Sequence, residues 1–132
     1  MQYLLDTNIV SSLVRKPAGP VTERLREVGE QAVATSIIVA AELQYGAAKK
    51  GSAKLTAQLE AVLSALLVLP LESPAELLYG ELRAKLERNG QLIGGNDMLI
   101  AAHALSLDMT LVSDNEREFA RVDSLRLENW LR

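Results

Sequence analysis

The sequence predicts an α/β protein in which helices cover a short, mainly parallel central sheet. Two observations carry this prediction: short runs with β-sheet propensity recur along the chain, and longer stretches with helical periodicity separate them. Such alternation is typical of a parallel sheet. A third observation is the composition, since 132 residues that are 48% hydrophobic and 23% charged are typical of one globular domain, which we expect to span residues 1–132.

The elements follow in chain order from the residue patterns. Five short runs are predicted to be strands, at residues 2–5, 32–35, 67–69, 110–112 and 125–127. Helices are expected between them, and two have clear apolar stripes, formed by Val21, Leu25 and Val28 and by Leu55, Leu59, Val62, Leu63 and Leu66. A further helix is predicted over 75–88, where Ser73, Pro74 and Glu76 indicate a capping box at its start.

Composition and charge exclude several classes of protein. The sequence has no cysteine, which excludes disulfides and thiolate sites and favours the cytoplasm. We see no targeting segment at Met1, and the longest apolar stretch, residues 61–71, is too short for a membrane span. A net charge of −3 argues against a generic nucleic-acid-binding surface. Two basic clusters could still face a polyanion or could be solvated helix faces. One is formed by Arg83, Lys85 and Arg88, and the other by Lys49, Lys50 and Lys54.

Asp6 and Asp97 each have an ordinary explanation when taken alone. Asp6 follows the first predicted strand, and either Asp6 or Thr7 could cap the helix that follows. Asp97 likewise lies where two glycines lead into the apolar helix of IGGNDMLIAAHAL. His103 lies about 240° around that helix from Asp97, so we expect a packed or hydrogen-bonded histidine and not a ligand of the same site.

Glu42 is harder to explain by capping. It is the only charged residue in TSIIVAAELQYG, a helix that is apolar nearly all round and that Ser36 is expected to cap. Such a helix should be largely buried. A buried carboxylate without partners is costly enough to protonate or to require a cation, which makes Glu42 a candidate functional residue.

The acidic residues are expected to share one pocket. Asp6 and Asp114 follow predicted parallel strands, whose carboxyl ends gather at one crevice, while Glu42 and Asp97 come from adjoining helices. Two carboxylates about 4 Å apart repel by roughly 4 kcal/mol at an effective dielectric constant of 20, so the cluster must protonate or bind a cation. Oxygen ligands favour Mg²⁺, with Mn²⁺ as a substitute. The pattern therefore predicts a metal-dependent phosphodiesterase that uses a metal-activated water.

The motifs LLDTN, SIIVAAELQYG, IGGNDMLIAAHA, VSDNEREF and LRLENW occur in this order over nearly the whole chain. In this order and spacing they resemble the PIN-domain family, specifically the VapC-type toxins of bacterial toxin–antitoxin pairs. The resemblance implies a three-layer α/β/α sandwich and a Mg²⁺-dependent endoribonuclease that cleaves RNA. It also implies a homodimer and inhibition by a cognate antitoxin protein.

The resemblance also assigns roles to individual residues. Three positions match the acidic metal ligands of the family: Asp6, Glu42 and Asp97. The fourth catalytic position is open between Asn115, which we prefer, and Asp114 one residue before it. Four polar side chains are expected to support the site. Thr7, Asn8 and Ser36 should form hydrogen bonds to the metal ligands, and Ser113 replaces the threonine that is usual in the family.

The resemblance and the acidic pocket further predict how partners bind. We expect an antitoxin to insert an arginine among the carboxylates, where it would replace the charge of the metal. We also expect exposed apolar surface on the helix near residues 55–66 to serve a homodimer.

Two other functions are open from the sequence. A phosphatase of the haloacid-dehalogenase type would use Asp6 as its nucleophile, but it needs a second aspartate two residues later, where this chain has Asn8. The non-enzymatic alternative is a PIN-like binding domain without catalysis, which a failure to bind Mn²⁺ would favour.

Overall fold

The computed structural model describes residues 2–132, and within this range the chain forms five strands and seven α-helices. The strands are β1 (Tyr3–Leu5), β2 (Val33–Ser36), β3 (Leu67–Leu69), β4 (Thr110–Val112) and β5 (Leu127–Glu128). The helices are α1 (Thr7–Arg15), α2 (Pro20–Val28), α3 (Ile37–Lys50), α4 (Ala53–Ala65), α5 (Ala75–Arg88), α6 (Gly95–Ser106) and α7 (Glu116–Phe119). The predicted α/β/α sandwich is confirmed. In the same residues, no helix combines the length and hydropathy that a bilayer span requires.

All five strands run parallel in the order β3-β2-β1-β4-β5. The central strand β1 pairs on one side with β2, where Leu5 is opposite Thr35, and on the other side with β4, where Leu5 is opposite Val112. This register brings the residues that follow β1 and β4, Asp6 and Ser113, to the same edge of the sheet. The order in which strands are added to the sheet reverses at β1, with β2 on one side and β4 on the other, and α/β sheets usually bind ligands at such a point.

The core explains why the central strands are apolar without alternation. Leu4, Leu5, Leu111 and Val112 are fully buried, as expected for parallel strands that helices cover on both faces. Helix α6 is buried over most of its length, as its uniformly apolar sequence predicts. The acidic residue at its start is therefore held on a rigid element.

The expectation that helix α3 is largely buried is wrong, because only Val39, Ala40 and Ala47 are buried, while Ile37 and Tyr45 are exposed. Three further local predictions differ from the structure. The Ser73 hydroxyl donates to the Glu76 carboxylate at 2.9 Å, and no side chain caps α5, which begins at Ala75; the polar side chains satisfy each other and not the backbone. The last strand begins at Leu127, two residues later than predicted, because Ser124 has a φ of +66° and belongs to the preceding turn.

The third difference concerns the proposed dimer surface. Leu59 of α4 is buried and Leu55, Val62 and Leu63 pack beside it, so α4 turns its apolar stripe inward. The most exposed large apolar side chains lie on other elements, namely Tyr45 on α3, Leu77 on α5 and Leu67 on the edge strand β3.

Candidate active site

Asp6 lies at the carboxyl end of β1, directly before α1. Its carboxylate is only 3% exposed, and it makes no side-chain capping bond to the helix. Asp6 Oδ2 accepts a hydrogen bond from the Ser113 hydroxyl at 2.7 Å, whereas Oδ1 is buried and has no hydrogen-bond partner within residues 2–132. Capping therefore does not explain Asp6, and a buried oxygen without a donor is the kind of atom that a cation or water stabilises.

Ser113 connects Asp6 to the loop that follows β4. Its backbone N–H donates to the Glu128 carbonyl at 2.9 Å, which continues the pairing of β4 with β5. Its hydroxyl oxygen also accepts the N–H of Asn115 at 2.9 Å. One buried hydroxyl thus fixes both the orientation of Asp6 and the path of the chain towards Asn115.

Glu42 joins the site from α3. The Ser36 hydroxyl accepts the N–H of Ile38 at 3.0 Å and caps this helix, as predicted. One turn and a half later, Glu42 Oε1 accepts the Thr7 hydroxyl at 2.6 Å and Oε2 accepts the Asn96 amide at 3.4 Å. These contacts place Glu42 between the first turns of α1 and α6, the same two turns that carry Asp6 and Asp97.

Asp97 lies in the first turn of α6 and faces the loop after β4. Its Oδ2 accepts a hydrogen bond from the Asn115 amide at 3.4 Å, and the same amide donates to Glu118 Oε2 at 3.3 Å. Glu118 was not identified from the sequence. The signal was its position three residues after Asn115, which places both side chains on one face of the short helix α7.

The carboxylates of the site perturb one another. Burial raises the pKa of Asp97 from 3.8 to about 6, and the charges of Asp6, Glu42 and Glu118 add to the increase, while the hydrogen bond from Asn115 opposes it. Burial also raises the pKa of Asp6, which the hydrogen bond from Ser113 lowers and the charge of Glu42 raises further. The carboxylates of Asp6 and Glu42 are thus close enough to raise the pKa of Asp97, although no three His, Cys, Asp or Glu side chains within residues 2–132 meet as a metal site.

Asp114 and Asn115 point to different neighbours. The Asn115 amide contacts Asp97, as described above. The Asp114 carboxylate instead accepts the Asn129 amide at 2.9 Å. The structure thus brings Asn115, and not Asp114, to the acidic pocket.

Two of the expected supporting residues form other bonds. Ser36 is fully buried, and besides capping α3 its hydroxyl lies 2.8 Å from Nδ1 of His103, so it is too deep to reach the carboxylates. Asn8 Oδ1 accepts the N–H of Asp114 at 3.0 Å and holds the loop, not a ligand. That bond occupies the side chain at the position where a haloacid-dehalogenase phosphatase needs its second aspartate. His103 is packed in the core, where burial lowers its pKa.

A groove extends from the site between α1, α3 and α4. Its floor is apolar, with Val14, Leu43 and Leu59 among its lining residues, and its rim carries Arg15 and Lys50. Glu42 also lines this groove. The acidic pocket therefore opens directly onto a surface with two cationic side chains.

Similar proteins match this chain over nearly its full length. A protein called Ribonuclease VapC2 from Rickettsia felis is 41% identical over 132 residues and covers 98% of both chains. A tRNA(fMet)-specific endonuclease VapC from Shigella flexneri is 34% identical over 131 residues, again with 98% of both chains covered.

Solved structures show the same fold. The structure of VapBC2 from Rickettsia felis bound to a promoter DNA fragment superposes with a TM-score of 0.90 at 41% identity, covering 98% of this chain and 99% of that one. The DNA-bound VapBC of Salmonella typhimurium gives a TM-score of 0.88 at 32% identity, covering 98% of each. The sequence model of the PIN-domain family matches residues 3–125 of this chain. On these grounds the chain belongs to the PIN-domain family.

Proposed function

We propose that this protein is a Mg²⁺-dependent endoribonuclease and the toxin of a toxin–antitoxin pair. The observation that carries the proposal is the group of Asp6, Glu42 and Asp97, whose negative charges act on one another at the carboxyl edge of the sheet. Relatives called ribonuclease or tRNA endonuclease, which match over the full length, support the reaction class. Hydrolysis of an RNA phosphodiester bond is the chemistry that an oxygen-only acidic pocket supports best.

The residues present fit a hard cation. Within residues 2–132 no three His, Cys, Asp or Glu side chains converge as a ready-made metal cage, but Mg²⁺ is commonly held by one or two carboxylates while waters and substrate phosphate complete its shell. Asp6, through its unpartnered Oδ1, and Asp97 are the residues that would hold the ion, and Glu42 would do so directly or through water. When bound, the ion lowers the pKa of a water and offsets phosphate charge.

The other side chains position these carboxylates. The Thr7 hydroxyl donates a hydrogen bond to Glu42 Oε1. The other carboxylate oxygen, Glu42 Oε2, can then accept a hydrogen bond from the Asn96 amide or from water. Ser113 donates to Asp6, which favours the ionised carboxylate that burial disfavours. The amide nitrogen of Asn115 donates to both Asp97 and Glu118 and so bridges these two carboxylates. In this arrangement Glu42 is best placed to accept a proton from the attacking water.

The RNA backbone would be held by cationic side chains near Glu42. Of the two basic clusters in the sequence, the one on α5 is partly engaged, because Lys85 pairs with Asp123 and Arg83 donates to Tyr79. Lys50 and Arg15 instead line the groove that contains Glu42. Phosphate contacts by Lys and Arg position a nucleic acid without specifying its sequence, so these two residues would set affinity and not base preference.

The proposed partners follow from the relatives and from the charge of the pocket. Solved relatives are VapBC complexes, and we expect a cognate antitoxin to bind this chain and place an arginine among the carboxylates. A segment lying in the groove between α1, α3 and α4 would end beside Glu42. A homodimer and a cytoplasmic location complete the proposal. Exposed Leu67 and Leu77 are the first side chains to test in a dimer interface.

The decisive experiment compares the wild type with Asp6→Asn on total cellular RNA, with Mg²⁺ and with a chelator. We expect cleavage only by the wild type with Mg²⁺. Glu30→Gln is the matched control, since it removes one negative charge from an exposed side chain in the turn before β2, at the opposite end of the sheet. Cleavage that survives both the Asp6 substitution and chelation would refute the proposal.

A further inference from the structure

The loop that carries Asn115 is tied to the last residues of the chain. Asp114 Oδ1 accepts the Asn129 side-chain amide at 2.9 Å, and the Asp114 N–H donates to Asn8 Oδ1 at 3.0 Å. The loop residue is thus held from two sides, by the first helix and by the segment after β5. Neither contact belongs to the regular pairing of the sheet.

The segment after β5 is itself firmly anchored. Asn129 Oδ1 accepts the N–H of Leu131 at 2.9 Å, which fixes the side chain that reaches Asp114. The next residue, Trp130, is only 4% exposed, and its ring packs edge-on against Tyr3 with the ring centroids 5.2 Å apart. Its indole N–H also donates to Glu128 at 3.0 Å. Asn129 therefore presents its amide to Asp114 from a rigid support.

The two neighbours of Asp114 in the chain face the acidic pocket. Ser113 donates to Asp6, and Asn115 donates to Asp97. A shift of Asp114 would move both donors, because the three residues are consecutive. Together with the pairing of Ser113 and Glu128, the contacts at Asp114 therefore help to fix where the pocket receives its two hydrogen bonds from this loop.

We propose that Asp114 is a positioning residue, which Asn8 and Asn129 hold so that Ser113 and Asn115 meet Asp6 and Asp97. This inference rests on the proposed ribonuclease function. It assigns the Asp114 carboxylate to the C-terminal segment and not to the metal. Arg132 adds to the same contact, since its Nε lies 3.9 Å from Asp114 Oδ1 and its guanidinium lies 3.5 Å from Glu116.

The test uses substitutions on both sides of the Asp114–Asn129 bond. Asn129→Ala removes the donor at a residue that does not contact the acidic pocket, and Asp114→Ala removes the acceptor. We expect each to lower kcat about 10- to 100-fold, the usual cost of losing an outer hydrogen-bond partner of a metal site, with KM within about twofold of the wild type. The double variant should lose clearly less than the product of the two single losses, because both remove the same bond, although Asn129→Ala also removes the acceptor of the Leu131 N–H and Asp114→Ala a contact with Arg132.

The conservative variant Asp114→Asn separates positioning from metal binding. Its amide oxygen can still accept the Asn129 amide, so we expect it to recover most of the activity that Asp114→Ala loses. Rates are measured on an oligoribonucleotide that spans a cut made by the wild type in total RNA. Arg126→Ala is the matched control, since it breaks a contact with Asp108 between the same two strands at their opposite ends.

Hydrogen exchange gives a readout that does not depend on catalysis. The Asn115 N–H donates to Ser113 Oγ, and we expect its exchange to accelerate about tenfold or more in Asn129→Ala but not in Arg126→Ala. Unchanged exchange and unchanged kcat in Asn129→Ala would overturn the inference, as would additive losses in the double variant or an Asp114→Asn variant as inactive as Asp6→Asn. If the wild type cleaves no RNA while the exchange result holds, the proposed function fails and the positioning role of Asp114 stands.

Discussion

Asp97 should make the metal-free protein less stable than a variant that cannot ionise at this position. Its pKa is raised from 3.8 to about 6 by burial and by the neighbouring carboxylates. At about 1.4 kcal/mol per pH unit, a difference of this size corresponds to about 3 kcal/mol. Because Asp97 is only half-buried, solvent screening reduces the expected effect to roughly 1–2 kcal/mol.

The sign of the pH dependence follows from the raised pKa. The folded protein binds the Asp97 proton more tightly than the unfolded chain, so the free energy of unfolding increases as the pH falls from above about 6 towards 3.8. The penalty is complete at about pH 8 and disappears below about pH 4. Asp97→Asn, which does not titrate, should lack this dependence.

Urea denaturation with a chelator at about pH 8 measures the effect. We expect Asp97→Asn to be more stable than the wild type by roughly 1–2 kcal/mol, or by roughly 4–8 °C in Tm. Adding about 10 mM Mg²⁺ should remove most of the difference, since a site with a Kd of about 1 mM stabilises the wild type by about 1.4 kcal/mol. A metal-free Asp97→Asn variant that is equally or less stable at this pH would refute the reasoning.

Three further predictions concern single side chains around the site. Burial lowers the pKa of His103, so the unfolded chain takes up a proton at a higher pH than the folded protein, and the free energy of unfolding decreases as the pH falls through about 6.5. His103→Gln should flatten this dependence of the free energy of unfolding on pH in urea titrations. An unchanged dependence would contradict the lowered pKa of His103. Gly46 lies within α3 with no atom within 4 Å of an added Cβ, so Gly46→Ala should raise the free energy of unfolding by about 0.5–1 kcal/mol. Thr7→Val removes the donor to Glu42 and should lower the cleavage rate about 10- to 100-fold with an unchanged circular dichroism spectrum; Thr56→Val on α4 is its control.

The sequence predicted that Asp6, Glu42 and Asp97 converge because Glu42 is out of place in an apolar helix and because the expected topology brings the other two to the same edge of the sheet. A carboxylate after an apolar strand and a single charge in an apolar helix are visible without coordinates, and the topology of a parallel sheet brings such positions together. The partner of each side chain was harder to predict, because hydrogen-bond partners come from residues distant in sequence. Asn8 and Asn129 bond to Asp114 across 106 and 15 positions, and no local pattern encodes those pairs.

Glu118 and Ser36 illustrate the same limit in opposite directions. Glu118 looked like one more charge on a short polar helix, yet it lies beside the Asn115 amide and contributes to the raised pKa of Asp97. Ser36 looked like a candidate for binding the ligands, yet its register at the end of β2 buries it completely against His103. Burial, which depends on how α3 and α6 pack, decided the case of Ser36, whereas the contact of the loop after β4 with α6 decided that of Glu118.

The position of β1 at the centre of the sheet explains why the pocket can hold so much negative charge. Asp6 is buried because strands flank β1 on both sides, and that burial alone would favour a protonated, neutral carboxyl group. Ser113 opposes this with a hydrogen bond that the adjacent strand β4 supplies in register. Asp97 and Glu42 have weaker or more exposed partners at the rim. The fold therefore keeps one carboxylate oriented and leaves the repulsion among the others to be relieved by a cation, so the proposed affinity for a divalent ion and the expected loss of stability without it would have the same physical origin.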